Sequence, residues 1–130
     1  MCAAQLREAI VERVERYLDT WRSGDLAARR RLFSPHAVLE DPVGTPPVAG
    51  LDRIEAHWTH LSAEGASYEA TLRRVVVCGH EALLQYALRT EPPHGPGSVT
   101  EIFATLVFDS ALEIRALRCW IDDSCLHMLG

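Results

Sequence analysis

The stretch Val38-Leu39-Glu40-Asp41-Pro42-Val43-Gly44-Thr45-Pro46-Pro47-Val48-Ala49-Gly50 divides the chain into two kinds of sequence. Ala37 to Asp41 reads as a short apolar strand. Residues 42 to 50 are dense in proline and glycine, so the strand is predicted to run into a rigid, irregular loop. Asp41 stands at that junction, where ordered backbone can hold a side chain at a functional position.

On the amino-terminal side Leu6, Ile10, Val14, Tyr17, Leu18 and Trp21 recur at three- and four-residue steps, which predicts an amphipathic helix over residues 4 to 22. Ser23-Gly24-Asp25 stops it and caps a short helix from Leu26 to Phe33, which Ser34-Pro35 ends because proline cannot continue the ladder. A third helix is expected from Asp52 to Leu61, with Ile54, Trp58 and Leu61 facing inward. Beyond Gly65 the pattern changes. Residues 68 to 78, 82 to 90, 98 to 109 and 112 to 122 are apolar-rich runs separated by turn formers, and they read as antiparallel strands. Helices followed by strands make an α+β fold in which a curved antiparallel sheet buries one face against three N-terminal helices. A pocket between the two layers is the natural place for an apolar ligand.

The 130 residues suit a single domain, 1–130, with one core. A net charge of −5 opposes binding that depends on neutralising phosphates, so nucleic acid is not an expected partner. Arg29-Arg30-Arg31 reads as a solvated helix face. The start Met1-Cys2-Ala3-Ala4-Gln5 lacks the pattern of a secretory signal, and no run of 18 apolar residues occurs, so the expectation is a cytoplasmic protein without a membrane partner. Cys2, Cys78, Cys119 and Cys125 are scattered without a CxxC pair, which predicts free thiols, with Cys78 and Cys119 as small buried residues.

The Val38–Gly50 stretch resembles the signature of the ketosteroid isomerases, and Tyr17-Leu18-Asp19-Thr20-Trp21-Arg22-Ser23-Gly24-Asp25 resembles their first helix. The order and spacing continue to match through Trp58 and Trp120. The resemblance implies the cone-shaped fold of nuclear transport factor 2, shared by SnoaL-like proteins. That fold hosts enzymes, binding proteins and scaffolds alike. It also implies Asp41 as general base and Tyr17 as the hydrogen-bond donor to a substrate oxygen. The chemistry agrees: an apolar surround disfavours the charged form of a carboxylate and brings its proton exchange toward neutral pH. Glu40, the next residue back, is expected to point to solvent.

At one position the sequence departs from the isomerases. Counting back from Phe108-Asp109 puts Ala104 where they carry a second, protonated aspartic acid. Loss of one such donor costs about a hundredfold to a thousandfold in rate. The Glu-Asp-Pro-Val-Gly-x-Pro-Pro-Val-x-Gly run is also similar to that of the epoxide hydrolases and cyclases of polyether biosynthesis, whose chemistry uses two carboxyl groups facing each other. This resemblance implies a second acid near Tyr68-Glu69. Glu69 is the nearest carboxyl, one residue out of register, and a one-residue slip reverses the face. If Tyr68 points inward, Glu69 lies in solvent, leaving Glu64 and Glu101 as the other candidates.

The expectation is a cofactor-free acid/base enzyme acting on an apolar, polyketide-like molecule: an epoxide hydrolase or cyclase, alternatively a steroid delta-isomerase, or else a non-catalytic small-molecule-binding module. Its substrate pocket is predicted to draw on Trp58, Phe103, Trp120, Phe33 and Tyr68. His57 and His60 share one helix without a partner at ligand spacing, so they read as surface residues and no metal is expected. A homodimer is expected through the outer face of the sheet, which still carries apolar residues.

Overall fold

Alternation and helical spacing place most of the elements, and the computed structural model describes residues 1–62 and 64–130. Helix α1 spans Ala3–Ser23 and buries Ile10, Val14, Tyr17 and Leu18 along its stripe. It ends where Gly24 takes a left-handed conformation (φ 68°), its N–H donating to the Thr20 carbonyl at 3.0 Å. Asp25 then caps α2, Leu26–Arg30, by accepting from the Ala28 N–H at 2.9 Å. Helix α3 spans Leu51–Leu61 and buries Leu51, Ile54 and Trp58. Among the described residues no helix is long and apolar enough to cross a membrane.

The strands are β1 (Phe33–Glu40), β2 (Val48–Ala49), β3 (Ser67–Cys78), β4 (Glu81–Glu91), β5 (Ser98–Phe108), β6 (Ile114–Trp120) and β7 (Leu126–Met128). They form one seven-stranded sheet in the order β2-β1-β6-β5-β4-β3, with β7 paired to the start of β5. Helices packed on a curved, unclosed sheet give the cone fold of nuclear transport factor 2, as expected. The sheet is mixed rather than wholly antiparallel, because β1 runs parallel to β6. Parallel neighbours need a crossover, and the long path through α3, β3, β4 and β5 provides it.

Two boundaries differ from the sequence reading for physical reasons. Helix α2 stops at Arg30, and β1 begins at Phe33, so Ser34-Pro35 lies inside a strand. Pro35 is tolerated there because the β1–β6 register shifts between Phe33 and Val38, and a bulge leaves the missing N–H without a ladder partner to lose. Strands β2 and β7, two and three residues long, were too short for periodicity to reveal.

Strict alternation sorts the long strands. Ala82, Leu84 and Tyr86 of β4 and Ile102, Ala104, Leu106 and Phe108 of β5 are buried inward, joined by Ile114, Leu117 and Cys119 of β6. Leu83 and Phe103 point outward. Cys78 is exposed at the end of β3, contrary to its expected burial, because the inward positions there are Val75 and Val77.

The α1–α2 elbow sets the direction in which α2 enters the core, and its cap is exposed to solvent. Asp25→Ala is expected to lower the unfolding free energy by about 1 kcal/mol, the usual worth of an N-cap. Urea denaturation would show this as an earlier midpoint with an unchanged slope.

Candidate active site

Between the helices and the inner face of the sheet lies a cavity of about 400 Å³. Tyr17 and Trp21 come to it from α1, Trp58 from α3, Tyr86 from β4, Ile102 from β5 and Cys119 from β6. Asp41 and Pro42 form part of its rim, together with Asp122, Asp123 and Leu126.

Asp41 comes directly after the last residue of β1, and the loop behind it is tied at both ends. The Val43 N–H donates to the Cys119 carbonyl at 2.7 Å, Thr45 closes on the Pro42 carbonyl, and the Gly50 N–H donates to the Ala37 carbonyl at 2.9 Å. The Asp41–Pro42 peptide is cis. The Asp41 side chain is 19% exposed, and its Oδ2 lies 3.3 Å from His57 Nε2. His57, read from sequence as a plain surface residue, therefore partners the candidate base. The turn of α3 that sends Trp58 inward leaves its neighbour at the loop. Glu40 is partly covered and pairs with Arg118 at 3.4 Å, so it is not a free surface carboxylate.

Tyr17 is 2% exposed, and its ring meets Phe33 edge-on at 5.8 Å, while Phe33 meets Trp58 at 5.0 Å. Burial pushes the Tyr17 phenol above its ordinary range, with the thiol of Cys119 and Asp41 adding to the effect and Arg29 and Trp21 opposing it. Burial likewise raises Tyr86, with Tyr17, Cys119 and Asp41 contributing. Both phenols therefore stay protonated at neutral pH and remain hydrogen-bond donors.

The structure separates the remaining expected residues. Trp58 lines the cavity with Asp41 and Tyr17. Phe33 lies behind Tyr17 and Trp58 in the core. Tyr68 points inward but serves a separate hollow of about 410 Å³ that also carries Trp21, Arg29 and Glu64. Glu69, its neighbour in the strand, consequently lies exposed on the other face and does not reach the cavity. Glu101 is also turned away, paired with Arg73 at 2.8 Å. Phe103 and Trp120 are register partners on the outer face, 42% and 37% exposed, because Ala104 and Cys119 take the adjacent inward positions. Their place in the pocket is a parity error of the sequence reading.

Sequence reasoning missed Tyr86 and the pair Asp122 and Asp123. Tyr86 shares inward parity with Ala82 and Leu84, a signal present in the alternation of β4. Asp122 was assigned to a strand end and Asp123 to no element, although Asp-Asp-Ser is a capping sequence. Asp122 accepts from the Ser124 N–H at 2.9 Å and from the Ser124 hydroxyl. These bonds hold its carboxyl below the usual range. Among the described residues no group of three or more His, Cys, Asp or Glu side chains is placed to hold a metal ion.

The pattern of the SnoaL-like domain family matches residues 14–112. The chain belongs to that family. This SnoaL-like protein is 34% identical over 108 residues to the steroid Delta-isomerase of Nocardioides simplex, covering 82% of this chain and 85% of that protein. Its fold is similar to that of the Delta 5-3-ketosteroid isomerase from Mycobacterium sp., with a TM-score of 0.80 and 19% identity over 93% of this chain and 98% of the other. It is equally similar to SalBIII, the epoxide hydrolase/cyclase-like enzyme of pyran ring formation in polyether salinomycin, with a TM-score of 0.83 and 16% identity over 95% and 98% of the two chains.

Burial also governs the cysteines of this SnoaL-like protein. The Cys119 thiol is pushed well up by burial, then by the Asp41 charge, so it carries little thiolate at neutral or mildly basic pH. Iodoacetamide applied to the folded protein is expected to label exposed Cys78 and Cys2 well before Cys119, as read by mass spectrometry of the digested chain.

Proposed function

We propose that this protein is a cofactor-independent acid/base enzyme that moves a double bond in an apolar, ring-fused ketone, with Asp41 carrying the proton. The observation that supports this most is the placing of one partly buried carboxylate at the rim of an apolar cavity whose interior holds the phenols of Tyr17 and Tyr86. Asp41 takes a proton from the carbon next to the carbonyl, leaving an enolate. Tyr17 donates a hydrogen bond to the enolate oxygen, and Asp41 returns the proton to the far end of the conjugated system. No net proton is gained or lost. His57 holds Oδ2 of Asp41 and so restrains the carboxylate at the cavity. The kinship with a steroid Delta-isomerase supports a substrate of this size and polarity.

A second reading, opening of an epoxide with hydrolysis or ring closure in polyketide tailoring, draws support from Asp122 and Asp123 on the same rim and from the fold shared with SalBIII. It needs one carboxyl that gives up a proton. The bonds from Ser124 keep Asp122 ionised, and Glu69 is on the wrong face, so this chemistry falls to Asp123 or to water. The isomerase reading asks for one carboxylate and is the better supported.

Incubation with an unconjugated ketosteroid should generate the ultraviolet absorbance of the conjugated enone. Asp41→Asn should lower the rate by about a hundredfold to ten-thousandfold, the usual worth of general acid/base assistance, while the circular dichroism spectrum stays unchanged. Tyr17→Phe should retain measurable turnover. Asp41→Asn turning over ketone at the parent rate would sink the proposal. Turnover of an epoxide, with the ketone left untouched, would establish the second reading.

We also propose that two copies pack through the outer face of the sheet, where Val76, Leu83, Phe103 and Trp120 stand between 37% and 51% exposed. Such a cluster of large apolar residues on one face favours burial against a second copy. Light scattering should give twice the mass of the 14.5 kDa chain, and Leu83→Glu should return it to the monomer.

A further inference from the structure

The hollow of about 410 Å³ that holds Tyr68 opens where the α1–α2 elbow, the end of α3 and the start of β3 meet. Small-molecule sites run from about 300 to 1,000 Å³, so it is large enough to hold one. Among the described residues its lining shares Trp21 alone with the main cavity. Trp21 and Tyr68, edge-on with ring centres 5.8 Å apart, give it aromatic walls, and Leu26 and Ala66 add apolar surface.

Arg29 belongs to the same lining and is 2% exposed. Its Nε donates to the Thr20 hydroxyl at 2.9 Å and its Nη2 to the Thr20 carbonyl at 3.1 Å, and the guanidinium lies 4.0 Å from the ring centre of Trp21. Nη1 carries two N–H donors and, among the described residues, meets no acceptor. A buried cation without a counter-charge is costly, and the cost falls when an anion meets it.

The other polar groups of the hollow are differently committed. Arg22 is held by Asp19 at 2.8 Å, and Glu64 is exposed. The Thr59 and Ser62 hydroxyls donate to the carbonyls of Glu55 and Trp58, at 3.0 and 2.9 Å, so they present lone pairs and not protons. The Ser23 hydroxyl accepts from the Asp25 N–H at 3.2 Å, which leaves its own proton to donate. An anion entering the hollow therefore finds a cation that no protein carboxylate has claimed, a hydroxyl donor and aromatic walls.

We propose that this hollow is a second binding site, for a singly charged carboxylate on a small aromatic body, with the carboxylate closing on Nη1 of Arg29 and the ring against Trp21 and Tyr68. The planar pair of carboxylate oxygens matches the guanidinium fork. A single charge is favoured because Glu64 faces the same hollow and repels a second one. The site is independent of any proton transfer at Asp41.

The probe is benzoate, titrated into the ¹⁵N-labelled protein and followed by NMR. Its amide shifts are expected to saturate and to centre on Ser23, Gly24, Ala66 and Ser67, with Asp41 and Cys119 in the main cavity left in place. Benzamide, of the same shape without the charge, should bind at least about tenfold more weakly, the worth of a hydrogen bond to a charged group. Arg29→Gln, which removes the cation and keeps a donor for Thr20, should weaken benzoate by a similar factor, with circular dichroism checking that it folds. Glu64→Gln, at an exposed position, should tighten benzoate by about two- to fivefold, the effect of removing a like charge near the surface.

Shifts centred on Asp41 and Cys119, equal affinity for benzamide, or unchanged benzoate affinity in folded Arg29→Gln would each overturn the proposal. If Arg29→Gln does not fold, Glu64→Gln decides: benzoate affinity that fails to rise there overturns it. Inorganic phosphate at mildly basic pH, largely a dianion, overturns it as well if it binds as tightly as benzoate, since it has no ring for the aromatic walls and a second charge facing Glu64.

Discussion

The hydrogen bond from the Val43 N–H to the Cys119 carbonyl, 2.7 Å long, fixes where the chain turns after β1. The parallel pairing of β1 with β6 brings Glu40 level with Arg118, and the next residue, Asp41, must then stand beside the inward-facing Cys119 position. The return bond from Gly50 to Ala37 closes the loop onto β1 and starts α3 at once, which sends His57 to the carboxylate and Trp58 into the core. The carboxylate, its imidazole partner and one aromatic wall of the cavity thus depend on two backbone bonds of the loop and on the register of the paired strands β1 and β6. If these bonds were lost, Asp41 would retain its sequence neighbours and lose its orientation.

The cavity this produces is electrically polarised. Carboxylates occupy its rim and a buried guanidinium lies behind its inner wall, with apolar and aromatic side chains between. Two charges that do not meet in an ion pair leave a field across the intervening space, and in a medium of low dielectric that field is strong. Tyr17 and Tyr86 lie within it. Burial alone makes a phenol a poorer acid and so a weaker donor, whereas Arg29 acts on both in the opposite sense. Burial outweighs Arg29 at both phenols, so they remain protonated hydrogen-bond donors in the cavity.

The fold was legible because its signals are periodic: the stripe from Leu6 to Trp21, the caps at Gly24 and Asp25, and the alternation of β4 and β5 each name an element and a face. Asp41 was legible because it ends a strand and precedes a dense run of turn formers. Errors arose where a one-residue choice of parity decides between cavity and solvent. Phe103 and Trp120 are as apolar as any pocket residue, and composition cannot distinguish them from Ala104 and Cys119, which took the inward places. Glu69 fell by the same rule once Tyr68 turned inward. His57 and Asp122 were invisible for another reason: each acquires its role through contacts with residues far along the chain or within a short capping turn, and no period marks either.

Arg29 shows the limit of reading charge by composition. In the run Arg29-Arg30-Arg31 the middle residue pairs with Asp52 and Glu55 at the surface, as a solvated face predicts, while its neighbour turns fully inward. The elbow at Gly24 decides this, since the five residues of α2 are too few to present a broad amphipathic face and must choose one side chain for the core. An apolar residue there would pack against Trp21 and Trp58 without the desolvation penalty of a cation. Stability alone therefore gives no reason for arginine. The two tryptophan faces and the oxygens of Thr20 offset part of the penalty, so the elbow residue Thr20 and both aromatic rings are held together by one side chain.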